Sequence, residues 1–400
     1  MSPLSPEAQA ILLLTAPLAV GREAPCRDLL SRGEFGRLAR RLQDMGAHAG
    51  DLLSPGADSL LAAAAPEVPT ERLRRLLDRG FLLSQALDHW RTRAIWVLTL
   101  ADGDYPGRLA QRLGADAPPV LYGCGDVALL SAGGLAVVGS RDVDQTLLDY
   151  AGAVGRLAAE ARRTVVSGAA RGVDQAAMHG SLAASGRALG VLADSLEQAA
   201  VSRANRDAIM AGALALASPF DPRARFHVGQ AMQRNKLIYA LSDAALVVNA
   251  DVERGGTWAG AVEQLQRYGC VPVYVRSQGA PSRALLALRA KGALPWPEPA
   301  AAEGLVAALG CATAAPTTAD PGAADAAVLA LLRQPRSDRE IATALGLSLT
   351  QTKQRLQALL TQGRLERLSR PVRYALRCQP SLFDDLETEV VSSPRPLATV

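Results

Sequence analysis

Two kinds of apolar spacing alternate along the chain. Near the N-terminus apolar residues recur three and four positions apart, as at Phe35, Leu38 and Leu42, which predicts amphipathic helices. From Ile95 onward, short apolar runs are separated by Gly-rich turns and alternate with Ala-rich stretches. Apolar strands that alternate with helices are typical of a mostly parallel sheet covered on both faces.

This alternation predicts the positions of the main elements. The strands are expected at Ile95–Leu100, Leu135–Val138, Thr164–Val166, Ala188–Leu192, Leu214–Ala217, Ala245–Val248 and Val271–Val275. The helices are expected at Thr146–Arg162, Asp174–Ser185, Arg203–Ala211, Gln230–Leu241 and Gly256–Tyr268. The fold class is therefore α/β, with a mostly parallel, Rossmann-like sheet whose ligands bind where strand ends meet helix starts.

Changes in composition suggest the domain boundaries. We expect a small helical domain at 1–92, the Rossmann-like core at 93–296, a linker at 297–324, a winged helix at 325–377 and a tail at 378–400. The linker is rich in Pro, Ala and Thr, which is typical of poorly ordered connections. The tail is acidic and then rich in Ser and Pro, so it is expected to be disordered.

The segment 325–377 has the element order and the charge of a DNA-binding winged helix. Helical patterns at Ala324–Arg333, Asp338–Leu345 and Leu349–Leu360 precede two short strand patterns. The segment carries ten Lys or Arg against four Asp or Glu, whereas the whole chain has a net charge of only +4. Such a basic footprint favours DNA binding, and a protein-binding winged helix is the alternative. The expected DNA contacts are Lys353, Arg355, Arg367, Arg370 and Arg373.

Composition narrows the environment of the protein. The five cysteines are far apart in sequence and form no metal-binding spacing, so neither a disulfide framework nor a zinc site is expected. The first apolar run, Ala10–Leu14, has no basic residues before it, and it therefore predicts a helix rather than a signal peptide. No uncharged apolar stretch is long enough to span a membrane. We expect a cytoplasmic protein.

The candidate chemistry follows the predicted strands. Gly139, Ser140 and Arg141 come directly after one strand, and Ser167, Gly168 and Arg171 follow the next. Glycine lets a phosphate approach the backbone, and Arg can bind it through two hydrogen bonds. Each motif taken alone also fits an ordinary turn.

Two more segments belong to the same set. Arg234, Asn235 and Lys236 lie in succession on a predicted helix, and Gly255, Gly256 and Thr257 form a turn before another. Both patterns suit phosphate contacts, although a solvated charged helix would also explain the first. Trp258 either packs in the core or stacks on a base.

Two common nucleotide motifs are missing from the sequence. Neither the Walker A pattern nor G-x-G-x-x-G occurs, so ATP hydrolysis and NAD binding are not favoured. No cofactor, metal or catalytic residue is expected. Glu263 follows the Gly255–Thr257 turn and stays open as a catalytic candidate.

Taken in order, these motifs resemble those of the DprA/Smf family of DNA-processing proteins. The segments that match the family's patterns are Val138–Arg141, Ser167–Asp174, Arg234–Ile238 and Gly255–Thr257, preceded by Asp102–Pro106 and Pro118–Gly123. The resemblance covers residues 95–275. It also has departures, because His179 lies one position later than in the family and the usual Tyr-Pro is absent from Asp194–Ala200. The sequence therefore indicates a divergent branch.

The resemblance implies a function and partners. A DprA/Smf-like protein would have an extended Rossmann-like fold. It would bind and protect incoming single-stranded DNA, form a homodimer and help to load a RecA-type recombinase during natural transformation, without catalysis. Its phosphate path would include Arg141, Ser167, Gly168, Arg171, Arg234, Lys236 and Thr257. The alternatives are a nucleotide-binding or nucleotide-hydrolysing Rossmann protein, such as a sensor in phage defence, and a transcription regulator led by the winged helix.

Overall fold

The structure is a computed structural model that describes residues 4–19, 28–279 and 282–314, and, nearer the C-terminus, 328, 331–332, 335–345, 352, 356–357, 359–360, 365–368 and 373–376. The chain divides into two compact units, 1–315 and 316–400. Among the described helices, none has the length and apolar character needed to span a bilayer.

Five helices precede the sheet, and their starts follow from local hydrogen bonding. Ser5 caps the first helix by accepting a bond from the Ala8 N–H at 3.1 Å. Ser31 and Glu34 form a capping box at the second helix, which satisfies two N–H groups that the helix itself leaves unpaired. The helices are α1 (Pro6–Thr15), α2 (Arg32–Asp44), α3 (Asp58–Ala64), α4 (Thr70–Leu77) and α5 (Gly80–Arg91).

The described part of the larger unit contains a nine-stranded sheet in the order β1-β2-β6-β5-β4-β3-β7-β8-β9. The strands are β1 (Trp96–Thr99), β2 (Val120–Cys124), β3 (Leu135–Val138), β4 (Val165–Ser167), β5 (Ala188–Val191), β6 (Leu214–Ser218), β7 (Ala244–Val247), β8 (Val273–Val275) and β9 (Leu294–Pro295). The β1–β2 and β2–β6 pairs are antiparallel, and all other pairs in this sheet are parallel. The predicted mostly parallel α/β sheet is confirmed.

Helices cover both faces of the sheet. Those of the larger unit are α6 (Gly107–Leu113), α7 (Gln145–Glu160), α8 (Val173–Ala183), α9 (Leu196–Val201), α10 (Arg203–Met210), α11 (Val228–Leu241), α12 (Gly255–Glu263), α13 (Arg283–Ala290) and α14 (Ala302–Ala314). The α1–α5 helices, α7 and α8 pack in one hydrophobic cluster. Helices α6, α11, α12 and α13 pack in another, which explains why the central strands are apolar on both sides.

The strand order reverses at β3. This strand pairs with β4 on one side and with β7 on the other, although β7 comes three strands after β4 in the chain. In an open α/β sheet such a reversal leaves a crevice at the carboxyl ends of the two strands. The turns after β3 and β7 therefore border a natural binding site.

The structure differs from the sequence-based expectations in several places. Strand β2, which begins in the Pro118–Gly123 segment, and strand β9 occur where no strand was predicted. Helix α14 occupies part of the predicted linker, and its Leu305 and Leu309 are buried in the same cluster as the N-terminal helices. The N-terminal helices also share this cluster with the sheet, so packing is continuous across the boundary expected at residue 92.

The C-terminal unit contains a helix and a hairpin in its described residues. Helix α15 (Asp338–Leu345) is followed by β10 (Leu365–Leu368) and β11 (Arg373–Leu376), which pair antiparallel. Arg367 lies on β10 and Arg373 on β11, whereas Lys353, Arg355, Arg370 and the tail 378–400 lie outside the described residues. The winged helix stays a prediction.

Candidate phosphate-binding site

A cavity of about 610 Å³ opens where the strand order reverses. We call it the switch-point cavity. It is lined by the turn after β3, by one side of α11 and by the start of α12. Of the residues predicted to bind phosphate, those that line it are Gly139, Ser140, Arg141, Arg234, Asn235, Gly255, Gly256 and Thr257. Segments that are more than a hundred residues apart in sequence thus meet around one space.

The buried carboxylate of Asp174 holds two of the strand-end turns together. It accepts a hydrogen bond from the Gly139 N–H at 3.3 Å and from the Gly168 N–H at 3.1 Å. Burial raises the pKa of Asp174 to about 6, while Arg234 and these backbone bonds act in the opposite direction. The turns after β3 and β4 therefore depend on one side chain, which the sequence marked only as a possible helix cap.

Arg234 is the buried cation of the cavity. Its side chain is only 5% exposed, and burial lowers its pKa. Among the described residues, none forms a hydrogen bond with its Nε. A Cβ atom added to Gly168 would overlap the Arg234 guanidinium and lie 2.7 Å from the Asp174 carboxylate, so a glycine is required there. A guanidinium in the lining of a cavity is suited to an anion.

Two side-chain bonds fix the walls of the cavity to each other. The Asn235 amide donates to the Gly256 carbonyl at 2.9 Å, and the Thr257 hydroxyl donates to the Gly139 carbonyl at 2.9 Å. These bonds join α11 to the start of α12 and join α12 to the turn after β3. Asn235 and Thr257 therefore act first as structural links, and the N–H groups at the start of α12 are available for an anion.

The rim of the cavity carries an exposed cation beside an exposed aromatic ring. The Arg141 guanidinium lies over the Phe226 ring, 5.1 Å from its centroid, and Phe226 is 50% exposed. The carboxylates of Asp142, Asp251 and Glu253 share the same lining. The charge of the rim is therefore mixed, and anion binding has to rely on local groups rather than on a strongly positive field.

Four of the predicted site residues lie outside this lining. Gly168 is in the turn after β4, where its N–H donates to Asp174 at 3.1 Å. The Ser167 hydroxyl is buried and donates to the Val137 carbonyl at 2.6 Å. Lys236 is buried on another side of α11, and its Nζ is 3.8 Å from an Asp116 carboxylate oxygen. Arg171 is exposed and lines a smaller neighbouring cavity of about 310 Å³. Arg141 lines both cavities.

Some residues of the cavity were missed or left open by the sequence analysis. Phe226 was not predicted as a site residue. It follows Arg223 and Arg225, and an aromatic residue next to basic ones is a sequence signal for nucleic-acid binding that could have revealed it. Trp258 is 8% exposed, packs in the core and lines the cavity as well. Glu263 is not among the lining residues and instead pairs with Arg267 at 3.3 Å. Within the described residues, no group of three His, Cys, Asp or Glu side chains could hold a metal ion.

The fold and this cavity define a Rossmann-like protein with a crevice at the strand-order reversal. Residues 96–293 match the family model of DNA recombination-mediator protein A. Through this core the chain belongs to that family, as its resemblance to DprA/Smf proteins predicted, and membership supports a role in DNA processing and recombination.

Two solved structures can be compared with the chain. DNA processing protein A from Streptococcus pneumoniae has a TM-score of 0.56 and 18% identity, covering 70% of this chain and 94% of that one. The Helicobacter pylori protein, described as binding single-stranded DNA, has a TM-score of 0.44 and 23% identity, covering 55% and 97%. The first likeness supports the fold. No curated protein matches the chain.

Proposed function

We propose that the chain binds single-stranded DNA at the switch-point cavity without chemical turnover and delivers it to a RecA-type recombinase. One observation carries the proposal: the Arg141 turn, Arg234 and the start of α12 come from distant segments and line one cavity. Membership of the recombination-mediator family agrees with it.

Phosphates would bind to backbone and guanidinium groups together. The N–H groups at the start of α12 and the guanidinium of Arg234 lie on the inside of the cavity, and Arg141 supplies an exposed cation at the rim. Such combinations of helix starts and Arg side chains are typical phosphate sites. A base next to the bound phosphate would stack on Phe226, because an exposed ring accepts any base.

The proposed strand continues from the switch-point cavity to the neighbouring one. Arg141 lines both, and Arg171 lies in the second. The path thus keeps Arg171 as a contact and leaves Ser167, Gly168 and Lys236 as structural residues. Because few cations lie along it, we expect a modest dependence of affinity on salt.

The partners in this proposal follow from the family. We propose that the protein acts as a homodimer in the cytoplasm and that RecA-type recombinase receives the DNA. The C-terminal unit would add a duplex contact through its winged helix. Its helix, its hairpin and a small core of residues such as Ile341, Leu365 and Tyr374 agree with that fold.

A binding titration tests the proposal. Fluorescence anisotropy with a labelled oligo-dT strand measures the affinity of the full chain for single-stranded DNA. We expect the wild type to bind, and we expect Arg141→Ala to lower the affinity at least tenfold. Arg40→Ala is the matched control, since Arg40 is also exposed but lies on α2, among the N-terminal helices. If oligo-dT does not bind, or if both variants lose affinity equally, the proposal is wrong.

A further inference from the structure

The rim of the switch-point cavity has an excess of negative charge. Its exposed charged side chains are two guanidinium groups and three carboxylates, which belong to Arg141, Arg254, Asp142, Asp251 and Glu253. Two positive charges against three negative ones leave a net charge of −1. A site for DNA normally has the opposite sign, so DNA binding alone does not explain these carboxylates.

The charge of the three carboxylates is not neutralised by neighbouring side chains. Within the described residues, none of Asp142, Asp251 and Glu253 forms an ion pair with a Lys, Arg or His side chain. All three are exposed. At physiological ionic strength, charges in solvent act over a Debye length of about 8 Å. A phosphate near the rim is therefore repelled without having to touch a carboxylate.

Asp251 and Glu253 lie on a tight turn between β7 and α12, which we call the Asp251–Arg254 turn. The Arg254 N–H donates to the Asp251 carbonyl at 3.3 Å, and Glu253 has a φ of 57°, in the left-handed region. Gly or Asn is usual at such a position, and most other residues there cost stability. Strained residues cluster at functional sites, and at this one the strained residue carries a carboxylate.

Single-stranded and double-stranded DNA respond differently to such a rim. A single strand is flexible, so it can place one phosphate at Arg141 and turn its other phosphates away from the carboxylates. A duplex has one negative charge per about 1.7 Å of its axis and is stiff over about 150 base pairs. It therefore cannot approach the cavity without bringing several phosphates close to the Asp251–Arg254 turn.

We propose that the Asp251–Arg254 turn excludes duplex DNA from the switch-point cavity. The inference rests on the proposed function, because it concerns the form of DNA that the same site accepts. Arg141 and Arg234 attract both forms, and the carboxylates of the turn offset this attraction for the form that cannot avoid them. A repulsive element of this kind gives specificity by weakening the wrong complex.

Fluorescence anisotropy of the full chain at low salt tests the inference with labelled oligo-dT and a labelled duplex of the same length. In the double variant Asp251→Asn/Glu253→Gln, we expect the affinity for duplex to rise at least tenfold. The ratio of the duplex affinity to the oligo-dT affinity should rise at least fivefold. If this ratio does not change, the inference is wrong.

A second double variant controls for net charge. Asp44→Asn/Glu160→Gln makes the same change in charge at two exposed residues, on α2 and α7, that line neither cavity of the proposed DNA path. We expect its affinity ratio to stay within twofold of the wild type. An equal gain in both double variants would show that overall charge, and not the Asp251–Arg254 turn, limits duplex binding.

Competition locates the gained duplex, because the C-terminal unit is also proposed to bind duplex. Excess unlabelled oligo-dT should displace the gained duplex from the Asp251→Asn/Glu253→Gln variant. Adding Arg141→Ala to that variant should remove the gain. If the gain survives Arg141→Ala, the duplex binds elsewhere and the inference is overturned.

Two single variants separate the charge of the turn from its shape. Glu253→Asp keeps a carboxylate, and Asp tolerates the left-handed backbone, so the affinity ratio should stay within twofold of the wild type. Glu253→Gln removes the charge at a similar size and should raise the ratio. Equal ratios in the two variants would contradict the role of charge. A thermal melt of each variant shows whether it has folded.

The outcomes also separate this inference from the proposed function. If the wild type does not bind oligo-dT, the proposed function fails and the inference fails with it. If the wild type binds oligo-dT and the Asp251→Asn/Glu253→Gln variant gains no affinity for duplex, only the inference fails.

Discussion

The switch-point cavity and a second cavity differ in how they use their polar groups. In the switch-point cavity Asp174, Asn235 and Thr257 are bonded to the backbone of neighbouring turns. The second, which we call the Tyr122 cavity, encloses about 770 Å³ among α1, β2, the turn after β6 and α11. In its lining the Tyr122 hydroxyl and Oδ2 of Asp221 have no partner among the described residues. The first cavity is thus framed by hydrogen bonds within the chain, whereas these two atoms of the second contribute none. Removing a polar group should therefore cost more stability at the first cavity than at the second.

Removing the central carboxylate should have the largest effect. Asp174→Ala leaves the N–H groups of Gly139 and Gly168 unpaired and removes the negative charge near buried Arg234. We expect a loss of about 3–5 kcal/mol in the free energy of unfolding, measured by urea denaturation. A loss below about 1 kcal/mol would mean that Asp174 does not organise these turns.

The same carboxylate should make stability depend on pH. Because burial raises its pKa from the ordinary 3.8 to about 6, the folded state holds the proton more tightly than the unfolded state. Its contribution is complete below about pH 4 and is lost as the pH rises through about 6, by about 3 kcal/mol. The free energy of unfolding is measured for the wild type and for Asp174→Asn from pH 4 to pH 7, and the difference between them gives the contribution of the Asp174 carboxyl group. A difference that does not change with pH would contradict this prediction.

Gly168→Ala should have the next largest effect. The added Cβ would overlap the Arg234 guanidinium, so the side chain or the backbone has to shift at a cost of about 1–3 kcal/mol. Gly36→Ala is the control, because Gly36 lies in α2 with open space around its Cβ position. The control should gain stability by about 0.5–1 kcal/mol, and a similar change in both variants would rule out the steric reason.

The smallest effects should contrast the two cavities directly. Thr257→Val removes a donor that Gly139 uses and should cost about 1 kcal/mol. Tyr122→Phe removes a hydroxyl without a partner among the described residues, and in the absence of ligand it should change stability by less than about 0.5 kcal/mol. Thermal unfolding of both variants makes the comparison. A larger loss in Tyr122→Phe would mean that its hydroxyl is already paired in the free protein.

The sequence predicted the part of the site that follows from sheet geometry. Gly139–Arg141 and Gly255–Thr257 come together because they follow β3 and β7, which are neighbours in a parallel sheet. Lys236 could not be placed in this way. It follows Asn235 directly, and one step along a helix turns a side chain by about 100°, so Lys236 lies at Asp116 instead of the cavity.

Other features were beyond the pattern of single residues. Ser167 was expected to contact phosphate, but it is buried and its hydroxyl donates to the Val137 carbonyl. The sequence at the end of a strand does not indicate whether a Ser hydroxyl faces a ligand or bonds to the neighbouring strand. Asp174 was expected to cap a helix, but Gly172 is the N-cap of α8 and Asp174 lies in its first turn. Its bonds to two turns depend on the distance between β3 and β4. The Tyr122 cavity involves α1, β2 and the turn after β6, and these segments have no common motif.

The pairing of β2 with β6 has a consequence for biosynthesis. Tyr122 lies opposite Ser218 and Gly123 opposite Ala217 in this antiparallel pair. On the ribosome, the β1–β2 pair emerges long before its neighbour β6, and until then one side of β2 has unpaired backbone groups. Such an open edge is a place where a nascent chain can associate with another. The N-terminal helices, which are made first and pack beside these two strands, can shield their apolar face during that delay.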